Sequence, residues 1–169
     1  SISISISCPC IHQTQKTVRA GEIPREREVE AVELGGIYVQ LWEIEVLLMQ
    51  EKDKEADKRL KAIHREYPKL AKPLWLLAKN LFFRAEHYPE DAVDERRQAL
   101  EEGMQWAEEC VAVAPEDINC QLHLGVILAR WSTNNGIIKS VFHGPTVSAA
   151  WSKAIKLKSS RIRLRTLLP

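Results

Sequence analysis

A stripe of small residues at helical spacing, ended by a proline, restricts the fold of this chain more than any other feature. The small residues recur at intervals of four, four, three and four positions: Ala99, Gly103, Ala107, Cys110 and Ala114. This spacing puts them on one face of a helix, where a neighbouring helix can approach closely. Pro115 cannot continue the helical hydrogen-bond ladder, and Glu116-Asp117 supply acids that favour the start of another helix. The pattern predicts two closely packed helices joined by a short turn.

This order of small residues, a proline and two acids is typical of the junction between two tetratricopeptide-type repeats. In the unit of about 34 residues, helix A carries a Leu-Gly pair, helix B carries small or aromatic residues, and a proline ends the unit. With Pro115 at that last position, Gly103, Ala107 and Cys110 take the helix B positions, and Leu124-Gly125 take the Leu-Gly positions of the next unit. The sequence therefore predicts an all-α fold, a tetratricopeptide-like α-solenoid of about three antiparallel helix pairs.

Long insertions are expected in the second and third helix pairs. The first pair runs from about residue 36 to residue 67 and needs no insertion. In the second pair 25 residues separate Ala78 from Gly103, and in the third 22 residues separate Gly125 from Val147. The usual separation in such a unit is about twelve residues. In the third pair the extra residues fall at roughly 132–146.

The first predicted helix carries an apolar stripe with one polar exception, Glu45. Its members are Tyr38, Leu41, Trp42, Leu48 and Met49. Their spacing places them on one helical face.

The length of the chain predicts about one domain, and its net charge is too small to produce a strong overall electrostatic field. Its 169 residues are 45% hydrophobic and 28% charged, which is enough to bury a sizeable core. The formal net charge of +1 gives no reason to expect nucleic acid as a partner. No apolar run approaches the length of about 18 residues that a membrane span needs, so we expect no membrane anchor in this sequence.

Three segments are expected along the chain. Residues 1–35 read as a mostly disordered N-terminal arm with a short helix at about 26–34, because their Ser-Ile alternation has no partner strand. Residues 36–157 form the repeat domain. Residues 158–169 form a basic C-terminal tail, or the start of a truncated further repeat.

The cysteines do not form a recognisable disulfide framework. Cys8 and Cys10 are too close to bridge one another, and Cys110 and Cys120 take small positions on predicted helices, where a free thiol packs as a small hydrophobe. We therefore expect a reducing compartment and a cytoplasmic protein.

No pattern of residues predicts catalysis or metal binding. The histidines lack metal-ligand pairing, His123 is expected in a helix A face, and Cys8 and Cys10 with His12 lack a fourth ligand. The sequence contains no glycine-rich phosphate loop and no nucleophile elbow. We predict no enzyme activity, no cofactor and no metal.

Four segments go beyond an ordinary repeat: Leu-Trp-Leu-Leu-Ala at 74–78, Gly-Met-Gln-Trp-Ala at 103–107, Gly-Ile-Ile-Lys-Ser at 136–140 and Lys-Ala-Ile-Lys-Leu at 153–157. Together they resemble the regulator of microtubule dynamics proteins over about half of the chain, and the segment at 136–140 is the most specific. The resemblance implies a repeat domain that binds other proteins and associates with microtubules or spindle poles. It also implies lipid binding in the repeat groove as an alternative.

Helix A faces line the concave groove of such solenoids, so exposed helix A residues are the binding candidates. They are Lys79, Phe83, Gln121 and Arg130, joined by Lys139 and Phe142 from the third insertion. Ordinary surface or inter-helix packing is the alternative for each. We expect the groove to hold an extended peptide or a partner helix, with tubulin or microtubules as the implied partner. An apolar cavity with a basic mouth would instead favour a lipid-binding or lipid-transfer module at membrane contacts.

Charge is unevenly distributed along the chain. Ten acids lie within residues 90–117, whereas the C-terminal segment is basic and has no acid: Lys156, Lys158, Arg161, Arg163 and Arg165. A basic tail could meet acidic tubulin tails or anionic lipid through a salt-screened attraction. A frayed, solvated terminus is the alternative.

Overall fold

Six α-helices make up the part of the chain that the structure, a computed structural model, describes: the backbone of residues 25–135 and 137–167 and the side chains of residues 35–135 and 142–161. The helices are α1 (Arg25–Met49), α2 (Asp53–Glu66), α3 (Ala71–His87), α4 (Val93–Val113), α5 (Ile118–Asn134) and α6 (Ile137–Leu167). None of these residues lies in a strand. The all-α prediction is confirmed.

The chain divides into residues 1–35 and residues 36–169. In the first unit the structure describes the helical backbone of residues 25–35, which is the first part of the longer helix α1. The predicted disorder of residues 1–24 lies outside the described part.

Proline-containing turns separate the helices at the predicted places. Helix α2 ends at Glu66, just before Pro68, and α4 ends at Val113, just before Pro115. The Asp117 side chain then caps α5, accepting hydrogen bonds from the backbone N–H groups of Asn119 (2.8 Å) and Cys120 (3.2 Å). Such a cap satisfies N–H groups that have no partner inside the helix.

From α2 onwards each helix packs on the next, and α3 also contacts α5. Helix α1 joins α2 and α3 in one apolar cluster that contains Leu41, Leu60 and Leu77. Helices α5 and α6 meet in another cluster through Leu124 and Val147. The core therefore runs through the successive helix contacts.

The small-residue stripe lets α4 approach α3 and α5 closely, as its spacing predicts. A Cβ atom added to Gly103 would lie 3.2 Å from Leu81 Cβ and 3.4 Å from Ile127 Cδ1. Ala107 and Cys110 on the same stripe are fully buried.

The expectation that Cys110 and Cys120 are free thiols is wrong. The two residues form a disulfide, with their Cα atoms 5.3 Å apart. The turn through Pro115 folds α5 back onto α4, and the small faces of both helices then meet at the two sulfur atoms. The cysteines therefore no longer support a reducing compartment.

The extra residues of the third predicted pair lie mostly within the two helices α5 and α6. Helix α5 continues to Asn134 and α6 begins at Ile137, so Lys139 and Phe142 lie in the first turns of α6. Gly136 lies outside the described residues. At the other end, α6 continues to Leu167, so residues 158–167, predicted as a tail, are helical.

The turn after α1 holds a glutamate in the left-handed region. Glu51 has φ 58°. Its N–H donates to the Leu48 carbonyl (3.2 Å), and the Lys52 N–H donates to the Leu47 carbonyl (3.0 Å). This is the Schellman arrangement of a helix C-terminus, in which the left-handed position is usually glycine.

Glu51→Gly is therefore expected to raise the free energy of unfolding by about 1 kcal/mol, because glycine removes the Cβ penalty of the left-handed conformation. Urea unfolding measures the change. Glu51→Ala is the control, since it removes the same carboxylate and keeps the Cβ atom. Equal stabilities of the glycine and alanine variants would contradict the prediction.

Candidate functional site

Helices α1, α3 and α5 share a face of aromatic and charged side chains, which we call the α1–α3–α5 face. Glu45 of α1 pairs with Lys72 of α3 at 2.6 Å. Trp75 of α3 stacks on His123 of α5, with ring centroids 5.7 Å apart and an interplanar angle of 7°. Further along, Glu86 of α3 pairs with Arg130 of α5. Ionic and stacking contacts thus join the three helices across this face.

A cavity of about 550 Å³ opens at the α1 end of this face, between α1, the α1–α2 turn and α3. Its apolar lining consists of Leu48, Met49 and Phe83. Its polar lining consists of Glu45, Glu51, Asp53, Lys79, Asn80 and His87. The mixture suits a ligand with both apolar and polar groups.

Two of the predicted groove residues, Lys79 and Phe83, line this cavity together. The Lys79 ammonium lies 5.9 Å from the centre of the Phe83 ring. Phe83 is 48% exposed, so its ring is available to a ligand. Arg130 lies further along the face, in the pair with Glu86.

Gln121 does not belong to the exposed face, and its prediction as a groove residue was wrong. Its side chain is 4% exposed and donates a hydrogen bond to the Pro115 carbonyl at 2.8 Å. The amide is used to close the α4–α5 turn.

The remaining predicted contacts lie on α6. Phe142 is 76% exposed, whereas the side chain of Lys139 lies outside the described residues. Lys156, Lys158 and Arg161 are exposed. The side chains of Arg163 and Arg165 also lie outside the described residues.

The acidic stretch at 90–117 is partly used to hold helices together. Lys61 of α2 contacts Glu102 of α4 and Asp57 of its own helix, each at 2.9 Å. Partial burial disfavours the charged forms of both Lys61 and Glu102. The hydrogen bonds within the cluster outweigh this effect, so the pKa of Lys61 is raised and that of Glu102 is lowered. Glu116 pairs with Lys153 at 2.8 Å and so links the α4–α5 turn to α6.

Sequence reasoning missed the exposure of the α1 stripe. Tyr38 is 50% exposed, Trp42 65% and Met49 82%, although the stripe read as a packing face. Leu41 of the same stripe is buried, and so is Ile44 beside it. The signal was Glu45, a charged residue that marks the solvent side of the stripe.

His123 is neutral in the folded protein. Burial, helped by the nearby Lys79 charge, lowers its pKa from 6.5 to about 4. The unfolded chain therefore binds a proton at a higher pH than the folded chain. The stabilisation by neutral His123 is complete above pH 6.5 and is lost as the pH falls towards 4.

Replacing His123 by phenylalanine is accordingly expected to reduce the acid sensitivity of folding. Between pH 7 and pH 4 we expect the free energy of unfolding of the wild type to fall by up to about 3 kcal/mol more than that of His123→Phe. The reason is that phenylalanine keeps the stacking on Trp75 but cannot bind a proton. Urea unfolding at both pH values measures the difference. His87→Gln, a change at an exposed position, should retain the wild-type pH dependence. An unchanged dependence in His123→Phe would refute this account.

The fold and this face together define the class of the protein: an all-α domain of successively packed helices with an exposed aromatic and charged face. The part of the chain that the structure describes contains no group of three or more His, Cys, Asp or Glu residues able to hold a metal. None of the helices within residues 25–135 and 137–167 is long and apolar enough to cross a membrane.

Residues 41–168 match the family described as Regulator of microtubule dynamics protein 1-3. This match covers well over half of the chain, and the chain belongs to this family. The resemblance stated from the sequence is confirmed, and family membership indicates a microtubule-related regulatory role. Neither a curated protein nor a solved structure matches the chain.

Proposed function

We propose that this chain is a non-catalytic protein-interaction scaffold, a tetratricopeptide-like α-solenoid of three helix pairs (α1 with α2, α3 with α4, α5 with α6) that binds a protein partner on the α1–α3–α5 face. The observation that carries the proposal is the mixed cavity beside exposed Phe83, where an apolar side chain and hydrogen-bonding groups of a partner can both be accommodated. Contacts between α1 and α3 and between α3 and α5 hold this surface in place before a partner arrives.

Tubulin in the microtubule is the partner we propose from the family. The end of α6 supports an electrostatic contribution, because Lys156, Lys158 and Arg161 are exposed and α6 contains no acid. Such a surface attracts acidic segments, and salt weakens the attraction. The proposed cytoskeletal and cytoplasmic setting rests on the family alone.

The lining of the cavity favours a peptide over a lipid. Six of its nine lining residues are polar, and three of those are carboxylates: Glu45, Glu51 and Asp53. An acyl chain needs an apolar lining, and an anionic headgroup would meet these acids at the mouth. Lipid binding or lipid transfer is therefore the alternative that the experiment below must exclude.

Co-sedimentation with microtubules tests the proposed function. The purified chain is mixed with taxol-stabilised microtubules or with anionic liposomes, each at low and physiological salt. We expect microtubule binding that weakens with salt and persists when residues 158–169 are deleted. A Phe83→Ala/Arg130→Ala variant should bind less, and Val93→Ala/Arg97→Ala, at two exposed positions of α4, is the matched control.

Two results would overturn the proposal. Complete loss of binding on deletion of residues 158–169, with no effect of Phe83→Ala/Arg130→Ala, would reduce the interaction to charge attraction by the end of α6. Liposome binding with extracted lipid retained by the protein would establish the lipid alternative instead. Far-ultraviolet circular dichroism of every variant verifies that the helices are intact.

A further inference from the structure

The exposed stripe of α1 forms an apolar surface that no other described helix covers. Tyr38, Trp42 and Met49 lie within one helical face, and each is at least half exposed. Buried Leu41 and Ile44 show that α1 packs on α2 and α3 through a different face. Exposed aromatic residues grouped in this way are typical of a protein-binding surface.

The stripe continues into the cavity at the end of α1. Met49 belongs to both, and the cavity extends the apolar surface to Leu48 and Phe83. Lys72 also lies on this surface. Its ammonium is 2.6 Å from the Glu45 carboxylate and 5.9 Å from the centre of the Tyr38 ring. Stripe and cavity together form one elongated surface, which we call the α1 docking surface.

The cavity lining in the α1 docking surface carries three carboxylates, those of Glu45, Glu51 and Asp53, against one lysine. Glu45 is neutralised by Lys72. Glu51 and Asp53, at the α1–α2 turn, form no ion pair with the residues that the structure describes. The one lysine in the cavity lining, Lys79, lies over the Phe83 ring. An occupant is therefore favoured if it brings positive charge to the α1–α2 turn.

We propose that the α1 docking surface binds a basic amphipathic helix of a partner protein. Apolar side chains of that helix would pack along Tyr38, Trp42 and Met49, with one of them entering the cavity beside Phe83. A lysine or arginine at its edge would face Glu51 and Asp53. Helices recognised in grooves present apolar residues at intervals of three and four, which suits a stripe with the same periodicity.

This inference rests on the proposed function and deepens it by naming the chemistry of one partner. The acids of the α1 docking surface repel an acidic segment, whereas the basic end of α6 attracts one.

Fluorescence anisotropy with labelled synthetic peptides tests the inference. The probe is a 15-residue amphipathic helix of leucine and lysine. One control peptide has glutamate for lysine, and a second has the same composition with leucine spread around the helix. We expect the basic amphipathic peptide to bind wild type at least tenfold more tightly than either control.

Variants locate the binding. Trp42→Ala should weaken binding of the basic peptide about tenfold, the loss typical of an aromatic anchor, and Glu51→Gln/Asp53→Asn should weaken it several-fold at low salt. Ile155→Ala on α6 is the matched control because Ile155 and Trp42 are almost equally exposed, at 66% and 65%. Glu90→Gln/Asp91→Asn is the control for charge. Both controls should bind like wild type.

Three outcomes would overturn the inference. The first is binding that Trp42→Ala leaves unchanged, and the second is equal binding of the acidic or the redistributed peptide. The third is a concentration-dependent dimer in sedimentation velocity that Trp42→Ala abolishes, since a second copy would then be the occupant. If the peptide fails while Phe83-dependent microtubule binding persists, only this inference fails. If both fail, the proposed function fails too.

Discussion

Replacing Gly125 by alanine is expected to lower the free energy of unfolding by about 1 kcal/mol, the low end of the range for overpacking, because the Trp151 indole is 40% exposed and can move outward. A Cβ atom at this position would lie 2.3 Å from Trp151 Nε1 and 2.4 Å from Trp151 Cδ1. No side-chain adjustment of alanine relieves such a contact, so the indole must leave its place against α5. The neighbouring contacts of Val147 and Ala150 between α5 and α6 would then loosen.

A double-mutant cycle identifies the cause. In a Trp151→Ala background the added methyl has room, and Gly125→Ala should be neutral or slightly stabilising, since alanine is the better helix former. Gly144→Ala is the control in the wild-type background, because a Cβ atom there meets nothing within 4 Å. Equal destabilisation in both backgrounds would show that Trp151 is not responsible.

Reduction of the Cys110–Cys120 disulfide is expected to lower the stability by about 3 kcal/mol, the value for a loop of roughly ten residues closed in the unfolded chain. Both residues are fully buried between α4 and α5, so reduction also leaves two thiols in a packed core. The two helices should still form, because Asp117 caps α5 and Gln121 closes the turn.

The measurement uses a Cys8→Ser/Cys10→Ser background, in which the remaining cysteines can pair only with one another. Urea unfolding with and without a phosphine reductant gives the difference, and Cys120→Ser should reproduce the reduced value. Thiol titration of the unreduced, unfolded protein should find no free thiol. Two free thiols, with a stability that reductant does not change, would count against the disulfide.

The ends of α2 and α4 and the start of α5 could be predicted because their causes are local. Pro68 and Pro115 cannot continue the hydrogen-bond ladder of the preceding helix, and Asp117 caps the next helix through its own neighbours. The stripe of small residues also predicted close packing correctly, since small side chains on one face allow two helices to approach each other closely. Each of these signals depends only on residues that lie close together in the sequence.

The cysteine pairing and the role of Gln121 could not be read in the same way. Whether Cys110 meets Cys120 depends on how α5 returns along α4, and whether Gln121 faces solvent depends on the Pro115 carbonyl. Periodicity groups residues on a face but does not say what covers that face. The α1 stripe illustrates this limit, because Tyr38, Trp42 and Met49 remain exposed whereas Leu41 of the same stripe is buried.

Pro145 gives α6 a mechanical property that a continuous helix of its length would lack. Proline lies within α6 and cannot donate to the carbonyl of Val141, so the ladder is interrupted there. The first turns of α6, which carry Lys139 and Phe142, are connected to the rest of the helix by a weakened hinge. Bending of α6 is expected to be easiest at this point, because a proline inside a helix is a usual site of a kink.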